Sequence, residues 1–131
     1  MSRRNYHGRA YAKAQNVRPT YIKAYDAALA KVDVLVTPTC ITTAPRNYTP
    51  DNYLEAVETN LATINSSGSR NTLPFNYTGH PALALPVGKS SAGLPVSMQL
   101  VGRFFDDPIL MRAAYAYQQS TDWDNNIGVG Y

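Results

Sequence analysis

The sequence predicts an α/β chain, and three observations carry that expectation. Apolar residues recur at steps of three and four in Ile22, Tyr25, Leu29 and Val32, again in Leu54, Val57, Leu61 and Ile64, and again in Leu110, Ala113, Ala114 and Tyr117. That spacing places each set on one face of a helix. Between these segments lie short apolar runs, Val34-Leu35-Val36, Pro81–Val87 and Pro95–Gly102, bounded by Asp, Pro and Gly. Such runs read as strands. The short, turn-rich link Gly88–Leu94 between the last two favours an antiparallel hairpin, because a parallel pair needs a longer crossover.

In chain order, residues 5–17 form a first helix, interrupted at Arg18-Pro19, and a second runs from Thr20 to Lys31. The strand Val34-Leu35-Val36 follows and ends at Thr37-Pro38-Thr39. Residues 40–49 are loop. Thr49-Pro50-Asp51 has the form of a helix start, with Thr as N-cap and Pro at the first position, and Ser66-Ser67-Gly68-Ser69 ends that helix. Arg70–His80, punctuated by Pro74 and Gly79, reads as loop. Pro81–Val87 is apolar throughout, as for a strand covered on both faces. In Pro95–Gly102, Val96, Met98 and Leu100 alternate with Ser97, Gln99 and Val101. Asp107 as N-cap and Pro108 at the first position open a last helix, which ends near Thr121. Residues 1–131 read as a single domain, with 122–131 as a tail.

At 131 residues, 44% apolar and 16% charged, the chain has the composition of one globular domain. The net charge of +3 is spread along the chain, and only Arg3-Arg4 are adjacent in its basic set, so no phosphate-binding patch and no nucleic-acid partner is expected. No apolar run approaches the ~20 residues that span a bilayer, and MSRRNYHGRAYAKAQ lacks the apolar segment of a secretory signal. One cysteine, Cys40, fits a reducing, cytoplasmic setting and reads as a small buried hydrophobe after a strand.

Chemistry-bearing motifs are sparse. His7 and His80 are far apart, and no HxxxH, CxxC, GxGxxG or phosphate loop occurs, so neither a metal nor a cofactor is expected. Ser66–Ser69 reads as a polar turn, and Lys89-Ser90-Ser91 as part of a solvated hairpin tip. His80, between Gly79 and Pro81, would need a nucleophile within hydrogen-bond reach to act as a base. A histidine bonded to backbone is the plainer reading.

Several pieces nevertheless stand in a distinctive order. Asp33–Thr39 reads DVLVTPT. Asn71, Pro74, Asn76, Thr78, Gly79, Pro81 and Ala82 follow the pattern NxxPxNxTGxPA, then come Leu85-Pro86-Val87-Gly88, Gly93-Leu94-Pro95-Val96 with Gln99, and Phe104–Asp107 ahead of the last helix. Over about residues 5–121 the chain resembles the C-terminal portion of amidase signature enzymes, with a flavour of the broad-spectrum amidases.

The resemblance implies a mixed β-sheet flanked by helices, a partial amidase signature fold. It implies hydrolysis of a carboxylic amide to acid and ammonia by a serine nucleophile, a bridging serine on a cis peptide bond and a lysine base, with backbone N–H groups holding the oxyanion. Those groups belong to the family's N-terminal part, so no catalytic residue is assigned here. The segment entering the last core strand lines the acyl side of the family's pocket, which maps substrate contact onto Thr72, Phe75, Asn76, Thr78, Gly79 and His80. Asn71 and Asn76 have the competing reading of turn formers. The expected function is the C-terminal part of an amide hydrolase, inactive alone, with a small-molecule amide as substrate in the full-length context and an N-terminal fragment or a second copy as partner. The alternatives are a non-enzymatic α/β binding or interaction module, and a small hydrolase using Ser66–Ser69 or His80.

Overall fold

The computed structural model describes residues 8–45, 51–66 and 68–122. Its elements are α1 (Arg9–Leu29), β1 (Leu35–Pro38), α2 (Tyr53–Ser66), α3 (Leu73–Thr78), β2 (Ala82–Lys89), β3 (Pro95–Val101) and α4 (Asp107–Ser120). The α/β class is as the sequence predicts. The sheet has three strands in the order β1-β3-β2, and both pairings are antiparallel. The parallel pairs of a mixed sheet are not among the described residues.

The N-terminal segment departs from expectation, because α1 runs unbroken through Pro19. A helical proline removes one N–H and crowds the carbonyl four residues back. The carbonyl four residues back is that of Gln15, and contacts from α3 hold the helix beside it. The Tyr77 hydroxyl donates to the Ala14 carbonyl, and the neighbouring Arg18 side chain is anchored on Tyr77 and Thr78. At the far end, Arg103 donates from Nε to the Leu29 carbonyl at 3.1 Å and from Nη2 to that of Val32 at 2.9 Å, satisfying acceptors the helix leaves open.

Strands β2 and β3 form the predicted hairpin, in register from Ala82 opposite Val101 to Lys89 opposite Pro95, with an irregularity between Pro86 and Gly88. Pro86 is tolerated because β2 lies at the edge of the sheet, where its missing N–H breaks no inner ladder. At the tip the Ser90 N–H donates to the Leu94 carbonyl at 2.8 Å and the Ser90 hydroxyl accepts from the Leu94 N–H at 3.3 Å. β2 is not covered on both faces: Leu83 and Leu85 turn inward while Ala82 and Ala84 stand exposed. Its run of apolar letters conceals an alternation of large and small side chains.

The core lies between this hairpin and α4. Leu85, Leu100, Leu110 and Ala114 are buried together, with Val34, Leu83, Met98, Ile109, Ala113 and Tyr117 packed around them. Asp106, rather than Asp107, occupies the N-cap of α4, and Pro108 sits in its first turn. The connection is tight at Gly102, where a Cβ would meet Leu110 Cδ2 at 3.2 Å.

Two further expectations change. Asn52 caps α2 by accepting the Glu55 N–H at 3.0 Å, while Glu55 accepts the Asp51 N–H at 3.1 Å, much as in a capping box. The cap expected at Thr49 lies outside the described residues. On the apolar stripe of α2, Leu54 is 73% exposed and Val57 is also open. Cys40 is exposed rather than buried, because the chain leaves β1 there and runs along the surface.

Candidate functional site

The segment Arg70–His80 is not the loop its Pro and Gly suggested. Residues 73–78 form the short helix α3, with Pro74 in the first turn, where a missing N–H costs nothing, and Gly79 closing it at φ +90°. The Gly79 N–H returns to the Phe75 carbonyl at 2.8 Å. Such a left-handed cap suits glycine. A side chain there would also press on Arg18 Nη2 at 3.5 Å and Phe104 Cε1 at 3.6 Å.

Helix α1 supplies the platform. Arg18, Tyr21 and Tyr25 follow at steps of three and four and so share a face, with Asp26 next to Tyr25. Arg18 donates from Nε to the Tyr77 carbonyl at 2.7 Å and from Nη2 to the Thr78 carbonyl at 3.3 Å, a cation on the last carbonyls of α3. Next to it Thr78 is fully buried and His80 is 4% exposed. His80 Nδ1 lies 2.9 Å from Thr78 Oγ1, and Nε2 lies 3.2 Å from Asp26 Oδ1. An ionised carboxylate only accepts, so Nε2 carries the proton and, in the neutral ring, Nδ1 accepts from the Thr78 hydroxyl. The imidazole stacks on Phe104 at 4.3 Å, with Tyr25 at 5.7 Å on another side, and Tyr25 meets Phe75 edge-on at 5.1 Å.

The order Asp26–His80–Thr78 has the acid, base and hydroxyl of a hydrolytic triad. Thr78 has no exposed surface through which a substrate carbonyl could reach its hydroxyl. The arrangement therefore works as a clasp on the buried Thr78 and His80, closed from the surface by Asp26. The plainer reading of His80 as structural fits, although its partners are side chains and not backbone.

Of the six residues mapped as substrate contacts, Phe75, Thr78 and His80 turn into the α1–α3 junction, while Asn76 and Gly79 are exposed. Thr72 is half-buried, and its hydroxyl donates to the Ser69 carbonyl at 3.2 Å. Two cavities stand out on the surface. One, of about 600 Å³, opens between α1 and α3, and the other, of about 430 Å³, lies between the segment after β1, including Cys40 and Ile41, and the start of β3. None of the six residues lines either cavity.

A second polar node escaped the reading of individual residues. Asn71 Nδ2 donates to the Pro38 carbonyl at 2.7 Å, and the buried Gln99 donates to the Asn71 carbonyl at 3.0 Å and to Thr37 Oγ1 at 3.4 Å. Asn71 is thus a tether between α3 and β1, not only a turn former. Asp26, Arg18 and Phe104 were likewise missed as site residues, since nothing local marks them. Among the described residues no group of three or more His, Cys, Asp and Glu could hold a metal ion, and no helix is long and apolar enough to cross a membrane.

The three pieces DVLVTPT, NxxPxNxTGxPA and GLPVxxQ thus meet at one point of an α/β fold, through Thr37, Pro38, Asn71 and Gln99. Residues 1–111 match the Amidase family, and the chain belongs to that family. It is 40% identical over 119 residues to the A-subunit of glutamyl-tRNA(Gln) amidotransferase from a Picosynechococcus species and 39% identical over 118 residues to that of Methanosarcina barkeri. Each alignment covers 90% of this chain and 23% of the relative, so the chain spans about a quarter of the length of the relatives it matches. The crystal structure of the same amidotransferase component from Thermotoga maritima superposes with a TM-score of 0.59 at 30% identity, over 78% of this chain and 20% of that one. These relatives are amidotransferase subunits.

Proposed function

We propose that this chain supplies the core and the acyl-side wall of an amide-cleaving enzyme and does not carry out the reaction alone. The observation that supports this most is the anchoring of segment 71–80. Asn71 ties its start to β1 and Gln99, and Arg18, Asp26 and Phe104 hold its end. Catalysis requires a pocket wall held to within a fraction of an ångström, and a segment pinned at both ends meets that requirement. In this reading Thr72, Asn76 and Gly79 present atoms to the acyl group of a small amide, and Phe75, Thr78 and His80 back them from behind. The serine nucleophile, bridging serine and lysine base come from the family's N-terminal part. A partner chain follows from the relatives' naming as subunits, and a cytoplasmic setting goes with the lone cysteine.

The test is ammonia release from a simple aliphatic amide. The chain alone is expected to release none above background, and mixing it with the N-terminal portion of an amidase-family relative is expected to restore release. Turnover by the chain alone would overturn the proposal. Failure of every such mixture would turn the reading to a non-enzymatic binding or interaction module.

A further inference from the structure

Helix α3 has two working faces. Phe75 and Thr78 point into the clasp, whereas Leu73, Pro74 and Tyr77 line the cavity shared with α1. Val17, Tyr21 and Tyr25 form the opposite wall. Tyr21 and Tyr77 meet edge to face, with centroids 5.6 Å apart at 75°. Such rings make a stiff apolar surface whose shape is settled before any ligand arrives. The volume of about 600 Å³ lies within the range of small-molecule sites.

One cation stands at this groove. Arg70 lines it, and among the described residues it forms no ion pair. Arg18 and Arg103 are taken up by backbone carbonyls. Among the described residues no acidic one lines the groove. A rigid aromatic slot beside one available guanidinium selects an apolar or aromatic body carrying a carboxylate, which the planar fork can hold with two hydrogen bonds. We propose that the α1–α3 groove binds small aromatic or aliphatic carboxylic acids, with the ring or chain between Tyr21 and Leu73 and the carboxylate at Arg70. This goes beyond the acyl wall, since it uses the opposite face of α3 and does not require amide cleavage.

The test titrates the 131-residue chain with hydrocinnamate, and separately with its neutral amide, while backbone amide NMR signals are followed. Saturable shifts are expected at Val17, Tyr21, Leu73 and Tyr77, with the acid bound roughly threefold more tightly than the amide, as a single exposed ion pair allows. Arg70→Gln should equalise the two, and Tyr21→Ala should weaken both. High salt on the unsubstituted chain should also erase the preference, so the reading does not depend on any variant folding. Equal binding of acid and amide, a preference that survives Arg70→Gln or salt, or no shifts at these positions would overturn the inference. So would shifts at the same positions on concentrating the chain without ligand, which would make the occupant a second copy. Amide-dependent shifts at Asn76 and Gly79 report on the acyl wall instead, so the two proposals fail separately.

Discussion

Helix α4 lies on the hairpin through Leu110 and Ala114, packed on Leu85 and Leu100. Helix α3 and the residues after it lie on α1 through hydrogen bonds from Arg18, Tyr77 and His80 and through edge-on rings. The first unit is built from residues 82–120, close in sequence, and joins helix to hairpin mainly by apolar area, with one long hydrogen bond from Tyr117 to the Val87 carbonyl at 3.4 Å. The second joins residues 54 to 63 positions apart. Hydrophobic contact holds surfaces together without fixing their angle, whereas a guanidinium on two named carbonyls fixes position. The region proposed to hold a pocket wall in place is the one that uses directional bonds.

That contrast can be broken or sharpened by substitution. The largest effect is expected from Leu100→Ala, which opens a cavity in the centre of the hairpin–α4 core and should cost about 3 kcal/mol by urea denaturation. His80→Ala should cost about 2 kcal/mol, since it strands the buried Thr78 hydroxyl and removes the stack on Phe104. Its hydrogen-exchange signature should differ from that of Leu100→Ala: protection should fall in 72–80 while the hairpin keeps its own. If the hairpin loses protection to the same degree, the two regions are one cooperative unit and the contrast is wrong.

Arg18→Lys should cost about 1 kcal/mol and lower protection at Gly79 and His80, because an ammonium cannot reproduce the fork across the Tyr77 and Thr78 carbonyls. A lysine variant indistinguishable from the parent would mean that charge alone suffices. The smallest effect is expected from Leu54→Ser on α2, under about 0.5 kcal/mol, as befits a side chain 73% exposed. A larger loss would show that the α2 stripe is buried in solution, by a second copy or another chain.

What could be read from the residues follows from the range of the interactions involved. The hairpin, its polar tip and the inner face of α4 were legible because period-two and period-3.6 patterns report burial locally. Helix α3 was not, since Pro74 and Gly79 read equally as loop punctuation and as the two ends of a short helix. Pro19 read as a break because a proline's cost is visible in sequence, while the tertiary contacts that hold the helix beside it are not. The pattern from Asn71 to Ala82 marked where the candidate site lies. It did not show that Thr78 and His80 would face inward while Asn76 and Gly79 faced out, since within a six-residue helix such assignments turn on what packs against it.

By itself, then, the amino-acid order determined the α/β class, the antiparallel hairpin, the core face of α4 and membership of a family, all of which rest on local periodicity or ordered motifs. Only the tertiary structure decided that α1 stays continuous, that the exposed Asp26 closes a clasp on the buried His80 and Thr78, and that Asn71 and Gln99 join two motif pieces. The physical reason is that these are pairwise polar bonds between residues 28 to 63 positions apart, apart from the Thr78–His80 contact. A hydrogen bond leaves no periodic trace in a sequence, whereas a buried face does.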